Sequence, residues 1–154
     1  MTPRLIRLWL IVLIFITMAP MSFGKVSESS CYAVYAKLLR DNHIKNAPRL
    51  VVVHSPKVNA YADGNIIVMY TGMLKFLHND SEVASVLGHE LSHYLLHHPK
   101  STIPNEYAAD KLGATIMSHS GYNKCVGFIW FLRLNDPGSD THPPSVTRYH
   151  VLGC

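Results

Sequence analysis

The sequence predicts one α+β domain, in which a small antiparallel sheet with a hairpin packs on two helices that follow it. Three observations predict this class. Short β-branched segments precede the long helix-periodic segments, and the sequence contains no internal repeat. The length of 154 residues fits one domain and leaves little room for a second.

The composition excludes several classes of protein. Hydrophobic residues make up 48% of the chain and charged residues 16%, which is unlike a disordered protein, a coiled coil or a collagen-like fibre. The net charge of +4 is scattered along the chain, so nucleic acid is not an expected partner. Ten His stand against four Glu, and imidazole is the commonest metal ligand in proteins.

Residues 1–24 have the pattern of a secretory signal peptide. Two arginines precede an unbroken apolar run over 8–16, and small residues then precede a cleavage point. The run is too short for a membrane span, which needs about 20 residues. We therefore expect export to the periplasm or the medium and a mature domain over 25–154 without a stable membrane span. An uncleaved membrane anchor is the alternative.

The first half of this domain alternates helix and strand patterns. Residues 31–40 are typical of a short amphipathic helix. The apolar, β-branched segment 49–54 is bounded by prolines and predicts a buried strand. Segments 58–62 and 65–70 flank an Asp-Gly pair, which predicts an antiparallel hairpin. Residues 71–78 predict a short connecting helix.

The second half is helical. A long helix is predicted over 80–98, where apolar residues recur at spacings of three and four and a proline follows. A second helix is predicted over 105–120, with a glycine placed to end it. The very apolar stretch 122–134 predicts a third helix, and a short last helix is expected after Pro144.

The chain has three cysteines, Cys31, Cys125 and Cys154. Export would place them in an oxidising compartment, where disulfides persist. Three cysteines allow three single pairings and always leave one thiol over. Their spacing matches no zinc-binding pattern, so we expect a structural role, and the pairing stays open.

The helix predicted over 80–98 contains an H-E-x-x-H motif. His89 and His93 are four residues apart, so both imidazoles lie on one helix face and can reach one zinc ion. Glu90 is rotated from His89 by about 100° and can act beside the metal as a general base. The structural alternative is a solvated, His-rich helix face. His97 follows on the side of His93 and is expected to hydrogen-bond near the cleft.

A catalytic zinc site needs three protein ligands and one open position. Glu106 and Asp110 are four residues apart and share a face of the next helix, and twelve residues separate His93 from Glu106. We expect Glu106 to be the third ligand and Asp110 to accept the free ring N–H of a ligand His. The sequence therefore predicts a site for one zinc ion, with an ordinary surface face as the alternative.

A set of short segments stands in order along the chain: G-H-E-L-S-H at 88–93, N-E-Y-A-A-D-K-L-G at 105–113, Gly121-Tyr122, T-H-P-P at 141–144 and Arg148, with N-A-Y-A at 59–62 ahead of them. These segments resemble the motifs of the HtpX / CAAX prenyl protease family, which are zinc endopeptidases of the gluzincin type. The resemblance covers about residues 50–152 and implies a minimal gluzincin fold, with His89, His93 and Glu106 as zinc ligands and Glu90 as the catalytic base.

The resemblance also implies roles for residues outside the two predicted ligand helices. Asn59 and Ala60 would bind an extended peptide by strand addition. His142 would face the metal, either stabilising the oxyanion or capping the zinc when the enzyme is shut off. Arg148 would be a companion basic residue in substrate binding.

Together these features predict an exported zinc endopeptidase that hydrolyses peptide bonds of unfolded or misfolded proteins with metal-activated water and a Glu general base. One alternative is a zinc-stabilised binding or chaperone module without catalysis. Another is a latent protease in which His142 closes the metal site. The intact Glu90 favours the enzyme, because a purely structural site has no use for an acid at that position.

Overall fold

A computed structural model describes residues 26–154, so the expected signal peptide lies outside the described residues. The described residues form seven helices and a three-stranded sheet, in agreement with the predicted α+β class. Within 26–154, no helix combines the length and the hydropathy that crossing a membrane requires.

Helix α1 (Glu28–Asp41) begins three residues before the predicted start. Ser27 is the reason, because its Oγ accepts a hydrogen bond from the Ser30 backbone N–H at 3.0 Å and caps the helix. One face of α1 is buried and joins the hydrophobic core through four side chains: Cys31, Val34, Tyr35 and Leu38.

The sheet contains strands β1 (Arg49–Val53), β2 (Ala60–Asp63) and β3 (Ile66–Tyr70), in the order β1-β3-β2. The β2–β3 hairpin is antiparallel as predicted. Its two-residue loop begins one position later than the predicted Asp-Gly pair, with Gly64 at φ +54° in the left-handed region that glycine tolerates.

Strand β1 differs from its prediction in two ways. It pairs with β3 in parallel, where an antiparallel sheet was expected. After β1 the chain crosses to the far edge of the sheet, where it forms β2. Strand β3 then lies between β1 and β2 and runs in the same direction as β1. Since β1 is therefore an edge strand, it is only partly buried, and Val53 is 37% exposed.

Helix α2 (Thr71–Phe76) leads into the central helix α3 (Asp80–Leu95). The Asn79 side chain caps α3 by accepting a hydrogen bond from the Glu82 backbone N–H at 3.1 Å. The helix ends three residues before the predicted His98, because His97 adopts a left-handed conformation at φ +53°.

Helix α4 (Ile103–His119) runs back along α3 and begins at the N-cap Thr102, with Pro104 in its first turn. The two helices approach most closely where Gly88 meets Gly113. A Cβ added to Gly113 would lie 2.8 Å from the backbone nitrogen of His89, so neither position has space for a side chain. This contact sets how near α3 and α4 lie to each other.

The predicted helix over 122–134 is two short helices, α5 (Lys124–Gly127) and α6 (Trp130–Leu134). In a continuous helix the Gly127 carbonyl would accept the Phe131 N–H. Here it accepts the Ser85 hydroxyl at 2.8 Å, and the Phe131 N–H donates to the Phe128 carbonyl. Such a contact from another helix leaves no local sequence signal.

Helix α7 (Ser145–Val151) follows Pro144 as predicted. A disulfide between Cys125 and Cys154 joins the segment after α7 to α5. Cys31 is the free thiol and is fully buried, and burial raises its pKa to about 12. The pairing that the sequence left open is thus between the last two cysteines.

Candidate metal centre

Three side chains from α3 and α4 converge at the base of a cleft: His89, His93 and Glu106. The two histidine Nε2 atoms are 3.1 Å apart. Glu106 Oε2 lies 3.4 Å from Nε2 of His89, and Glu106 Oε1 lies 3.4 Å from Nε2 of His93. The helical spacings read from the sequence therefore bring the three expected ligands together.

These distances fit a tetrahedral metal ion. Zinc bonds to N and O ligands of about 2.0–2.1 Å imply ligand atoms about 3.3–3.4 Å apart. Glu106 is also buried, and its Oε2 accepts no hydrogen bond, although Arg148 Nη2 lies 3.2 Å away. A buried carboxylate oxygen is unfavourable without a hydrogen bond or a cation, and Arg148 brings a charge to 3.2 Å but no hydrogen bond, so a metal ion would complete the environment of this oxygen. The residues present therefore suit a His₂Glu metal site.

Asp110 holds the outer side of the His89 ring. The Asp110 Oδ1 atom lies 2.9 Å from His89 Nδ1, which leaves Nε2 directed at the other ligands. A carboxylate that accepts the remote N–H of a ligand histidine fixes both the tautomer and the orientation of the ring. This geometry agrees with the position expected for Asp110.

Arg148 supports Asp110 from α7. Its Nε and Nη2 atoms each donate to the Asp110 carboxylate at 2.7 Å, and its guanidinium stacks on the ring of Phe131 at 4.4 Å. Arg148 is buried, with 10% of its side-chain surface exposed to solvent. The structure thus places Arg148 against Asp110 and Glu106, at the back of the cleft.

The pKa values of this cluster follow from burial and pairing. Burial alone would raise the pKa of Glu106, but the adjacent imidazoles of His89 and His93, each 3.4 Å from a carboxylate oxygen, outweigh it and lower the pKa. Burial would also raise the pKa of Asp110, but hydrogen bonds from Arg148 and His89 outweigh it and lower that pKa. Both carboxylates are therefore ionised at neutral pH, as metal ligation and its support require.

Glu90 lies beside the ligands on α3 and lines the same cleft. It is buried, and burial raises its pKa, against the lowering effect of the neighbouring imidazoles. A carboxylate with a raised pKa exchanges protons more readily near neutral pH.

Strand β2 forms one wall of the cleft. Within the described residues it pairs only with β3, so its other edge is free to bind an extended peptide. Asn59 precedes the strand and Ala60 begins it, and the Asn59 carbonyl accepts the Tyr70 N–H at 3.2 Å. The Asn59 carbonyl is therefore directed into the sheet, and both predicted peptide-contacting residues line the cleft.

His142 reaches the cleft from the loop between α6 and α7. Its Nε2 lies 3.7 Å from Glu106 Oε1, and its side chain remains 49% exposed. Ser101 lies between the two, since its hydroxyl donates to Glu106 Oε1 and is 3.1 Å from His142 Nε2. Ser101 had no sequence signal, because it belongs to a loop with no motif.

The cleft has a volume of about 770 Å³ and combines polar and apolar walls. Besides the ligands and β2, apolar side chains from three helices line it: Met73, Val86, Trp130, Phe131 and Leu134. This volume lies within the range of sites that hold a ligand the size of a short peptide segment.

Comparison with known proteins gives one family match. Residues 27–105 match Peptidase family M48. The match spans about half of the chain, includes the H-E-x-x-H segment, and ends one residue before Glu106.

Two curated proteins are similar to the chain. It is 42% identical over 147 residues to Mitochondrial metalloendopeptidase OMA1 of Arabidopsis thaliana, an alignment that covers 67% of the chain and 30% of that protein. It is 35% identical over 100 residues to Metalloprotease YcaL of Escherichia coli (strain K12), which covers 62% of the chain and 39% of that protein. The chain therefore spans less than half the length of either relative.

Proposed function

The chain belongs to peptidase family M48, and from that premise we propose that it is an exported zinc endopeptidase that cleaves unfolded or misfolded proteins. The observation that carries the proposal is the convergence of His89, His93 and Glu106 beside the buried Glu90. Both similar curated proteins are metallopeptidases by name, which supports the same chemistry.

In this proposal His89, His93 and Glu106 would hold one zinc ion. When bound, zinc supplies Lewis-acid chemistry, which lowers the pKa of a water molecule and polarises a peptide carbonyl. Asp110 and Arg148 keep the His89 ring oriented, through the contacts of 2.9 and 2.7 Å described above.

Glu90 is the proposed general base. Its buried carboxylate takes the proton of the attacking water and delivers it to the departing amine nitrogen. The raised pKa of Glu90 helps both transfers, because a carboxyl group that holds a proton near neutral pH can also release it.

The substrate is proposed to bind as an added strand along β2. Asn59 and Ala60, which line the cleft, would contact an extended peptide, which favours unfolded chains because folded proteins seldom present a free strand. His142 would donate a hydrogen bond to the developing oxyanion, a contact whose loss elsewhere costs on the order of 3–4 kcal/mol. Arg148 is proposed to assist substrate binding from the back of the cleft.

Export is proposed from two features. The sequence pattern over 1–24 is that of a signal peptide. The Cys125–Cys154 disulfide is of the kind that persists in an oxidising compartment, such as the periplasm or the medium.

The test compares the purified wild-type protein with Glu90→Gln, which keeps the shape of the side chain and removes the base. Zinc content and cleavage of an unfolded protein are measured for both. We expect zinc in both proteins and cleavage only by the wild type. Equal cleavage by both proteins, or no zinc in the wild type, would contradict the proposal.

The same assay separates the proposal from its alternatives, with His142→Ala as a third protein. The position of His142, 3.7 Å from Glu106, favours the latent form as the second candidate. A latent protease would bind zinc, fail to cleave as the wild type and become active in His142→Ala. A binding module would bind zinc and fail to cleave in all three proteins.

A further inference from the structure

The C-terminal end of α3 has the hydrogen bonds of a Schellman motif. The His98 N–H donates to the carbonyl of His93 at 3.1 Å, and the His97 N–H donates to the carbonyl of Tyr94 at 3.1 Å. His97 occupies the left-handed position, at φ +53°. In this motif the residue after the left-handed position packs against the residue five positions before it. Here those two residues are His98 and the expected metal ligand His93.

The contact is a hydrogen bond between two imidazoles. Nδ1 of His93 lies 3.0 Å from Nδ1 of His98, and the ring centroids are 5.1 Å apart at an interplanar angle of 70°. Schellman motifs usually place an apolar pair at this point. A polar pair here joins the end of the helix to the metal site.

The direction of the hydrogen bond follows from the rest of the site. Nε2 of His93 faces His89 Nε2 and Glu106 Oε1, so this nitrogen offers its lone pair to a metal. A neutral ligand imidazole then has its proton on Nδ1. His93 therefore donates, and Nδ1 of His98 accepts, which puts the His98 proton on Nε2.

We propose that His98 is a positioning residue of the metal site, whose Nδ1 fixes the ring of His93 as Asp110 fixes the ring of His89. The two supports differ in charge. Asp110 is an anion that pairs with Arg148, whereas His98 is a neutral acceptor that needs no cation beside it. The inference rests on the proposed function, since it concerns the same zinc site.

The test uses two substitutions of equal shape. His98→Asn keeps an acceptor oxygen in the place of Nδ1, and His98→Leu has the same branching without an acceptor. Zinc affinity is measured by competition with a chelator, and the visible spectrum of the cobalt(II) form reports ligand geometry. We expect zinc binding about 10–100-fold weaker and an altered cobalt spectrum in His98→Leu. His98→Asn should retain most of the affinity and the wild-type spectrum.

The control is His97→Asn in the same turn, because Asn tolerates the left-handed conformation. It should bind zinc as the wild type does. Equal affinity in His98→Leu and the wild type would overturn the inference, and so would equal loss in His98→Leu and His98→Asn. Circular dichroism of the metal-free variants verifies that each is folded.

The outcomes also separate this inference from the proposed function. A wild type that binds zinc and cleaves, with an unaffected His98→Leu, would overturn only the role of His98. A wild type that binds no zinc would overturn both.

Discussion

Gly88 and Gly113 meet backbone to backbone where α3 crosses α4, and a Cβ on Gly88 would lie 3.0 Å from the Gly113 carbonyl oxygen. One residue beyond Gly88 is His89, and one helical turn before Gly113 are Asp110 and Ala109. The glycine contact therefore determines how close the ligands of one helix come to those of the other.

Gly113→Ala should destabilise the protein and weaken the metal site together. Alanine normally favours a helix interior by about 0.5–1 kcal/mol over glycine, but the added Cβ has no space here. We expect the free energy of unfolding to fall by about 1–3 kcal/mol, the range of overpacked cores. Zinc affinity should fall as well, because α4 moves away from His89. Urea unfolding and chelator competition measure the two effects.

Thr115→Ala is the matched control on the exposed side of α4, where a change within about 0.5 kcal/mol is expected. A Gly113→Ala protein as stable as the wild type would show that the close approach is unimportant.

Asp110→Asn should weaken zinc binding about 10–100-fold. The Asn oxygen can still accept from His89 Nδ1, but the charge that polarises the ring and pairs with Arg148 is lost. Loss of one partner of a buried ion pair also costs about 3–5 kcal/mol of stability. Chelator competition and unfolding of the metal-free protein measure these changes. Asp140→Asn, at an exposed carboxylate, should change neither, and unchanged zinc binding in Asp110→Asn would remove Asp110 from the site.

Stability of the metal-free protein should decrease as the pH rises from 6.5 to about 9. Burial alone would lower the pKa of His89, but hydrogen bonds with Asp110 and Glu106 outweigh it and raise the pKa from 6.5 to about 9. A group whose pKa is higher in the folded than in the unfolded protein stabilises the folded state. This contribution is complete below the unfolded-state pKa and is lost as the pH rises through the folded-state pKa. Urea unfolding with chelator present, at several pH values, measures the effect.

Zinc affinity should change in the opposite direction over the same pH range. Zinc binds the neutral imidazole, so a proton on His89 competes with the metal below pH 9. We expect affinity to rise about tenfold per pH unit for this one proton and to level off above pH 9. Affinity independent of pH between 6.5 and 9 would contradict a protonated His89 in the metal-free protein.

Loss of the disulfide should lower the free energy of unfolding by about 3–4 kcal/mol, the chain-entropy value for a loop of this size. The bond joins Cys125 to Cys154, which are 29 residues apart in the sequence, and it anchors the segment after α7. Unfolding of Cys125→Ser/Cys154→Ser measures the loss. The matched control is Cys31→Ala, which keeps the disulfide. Thiol counting tests the pairing itself: in the denatured wild type, one thiol should react without reductant and three should react with it.

Features set by local sequence were predicted well. The helices α3 and α4 and their facing residues follow from apolar spacing and caps, which are properties of neighbouring residues. The same periodicity is why His89, His93, Glu106 and Asp110 were expected together, and the structure brings their side chains within contact distance.

Features that depend on distant contacts were not predicted. The parallel pairing of β1 depends on where the chain crosses the sheet, and the break between α5 and α6 depends on Ser85 from another helix. The end of α3 was misplaced because a histidine, His97, takes the left-handed position that glycine usually occupies. For the same reason His98, rather than the expected His97, contacts the ligand ring.

The connection between α3 and α4 has a consequence for how the site assembles. All three expected zinc ligands belong to one helical hairpin, closed by a link of seven residues between Leu95 and Ile103. Short links cost little closure entropy and form early in folding. Arg148, in contrast, reaches Asp110 across 38 residues. We therefore expect the three ligands to come together once two adjacent helices pair, whereas the guanidinium support requires the far end of the chain to fold as well.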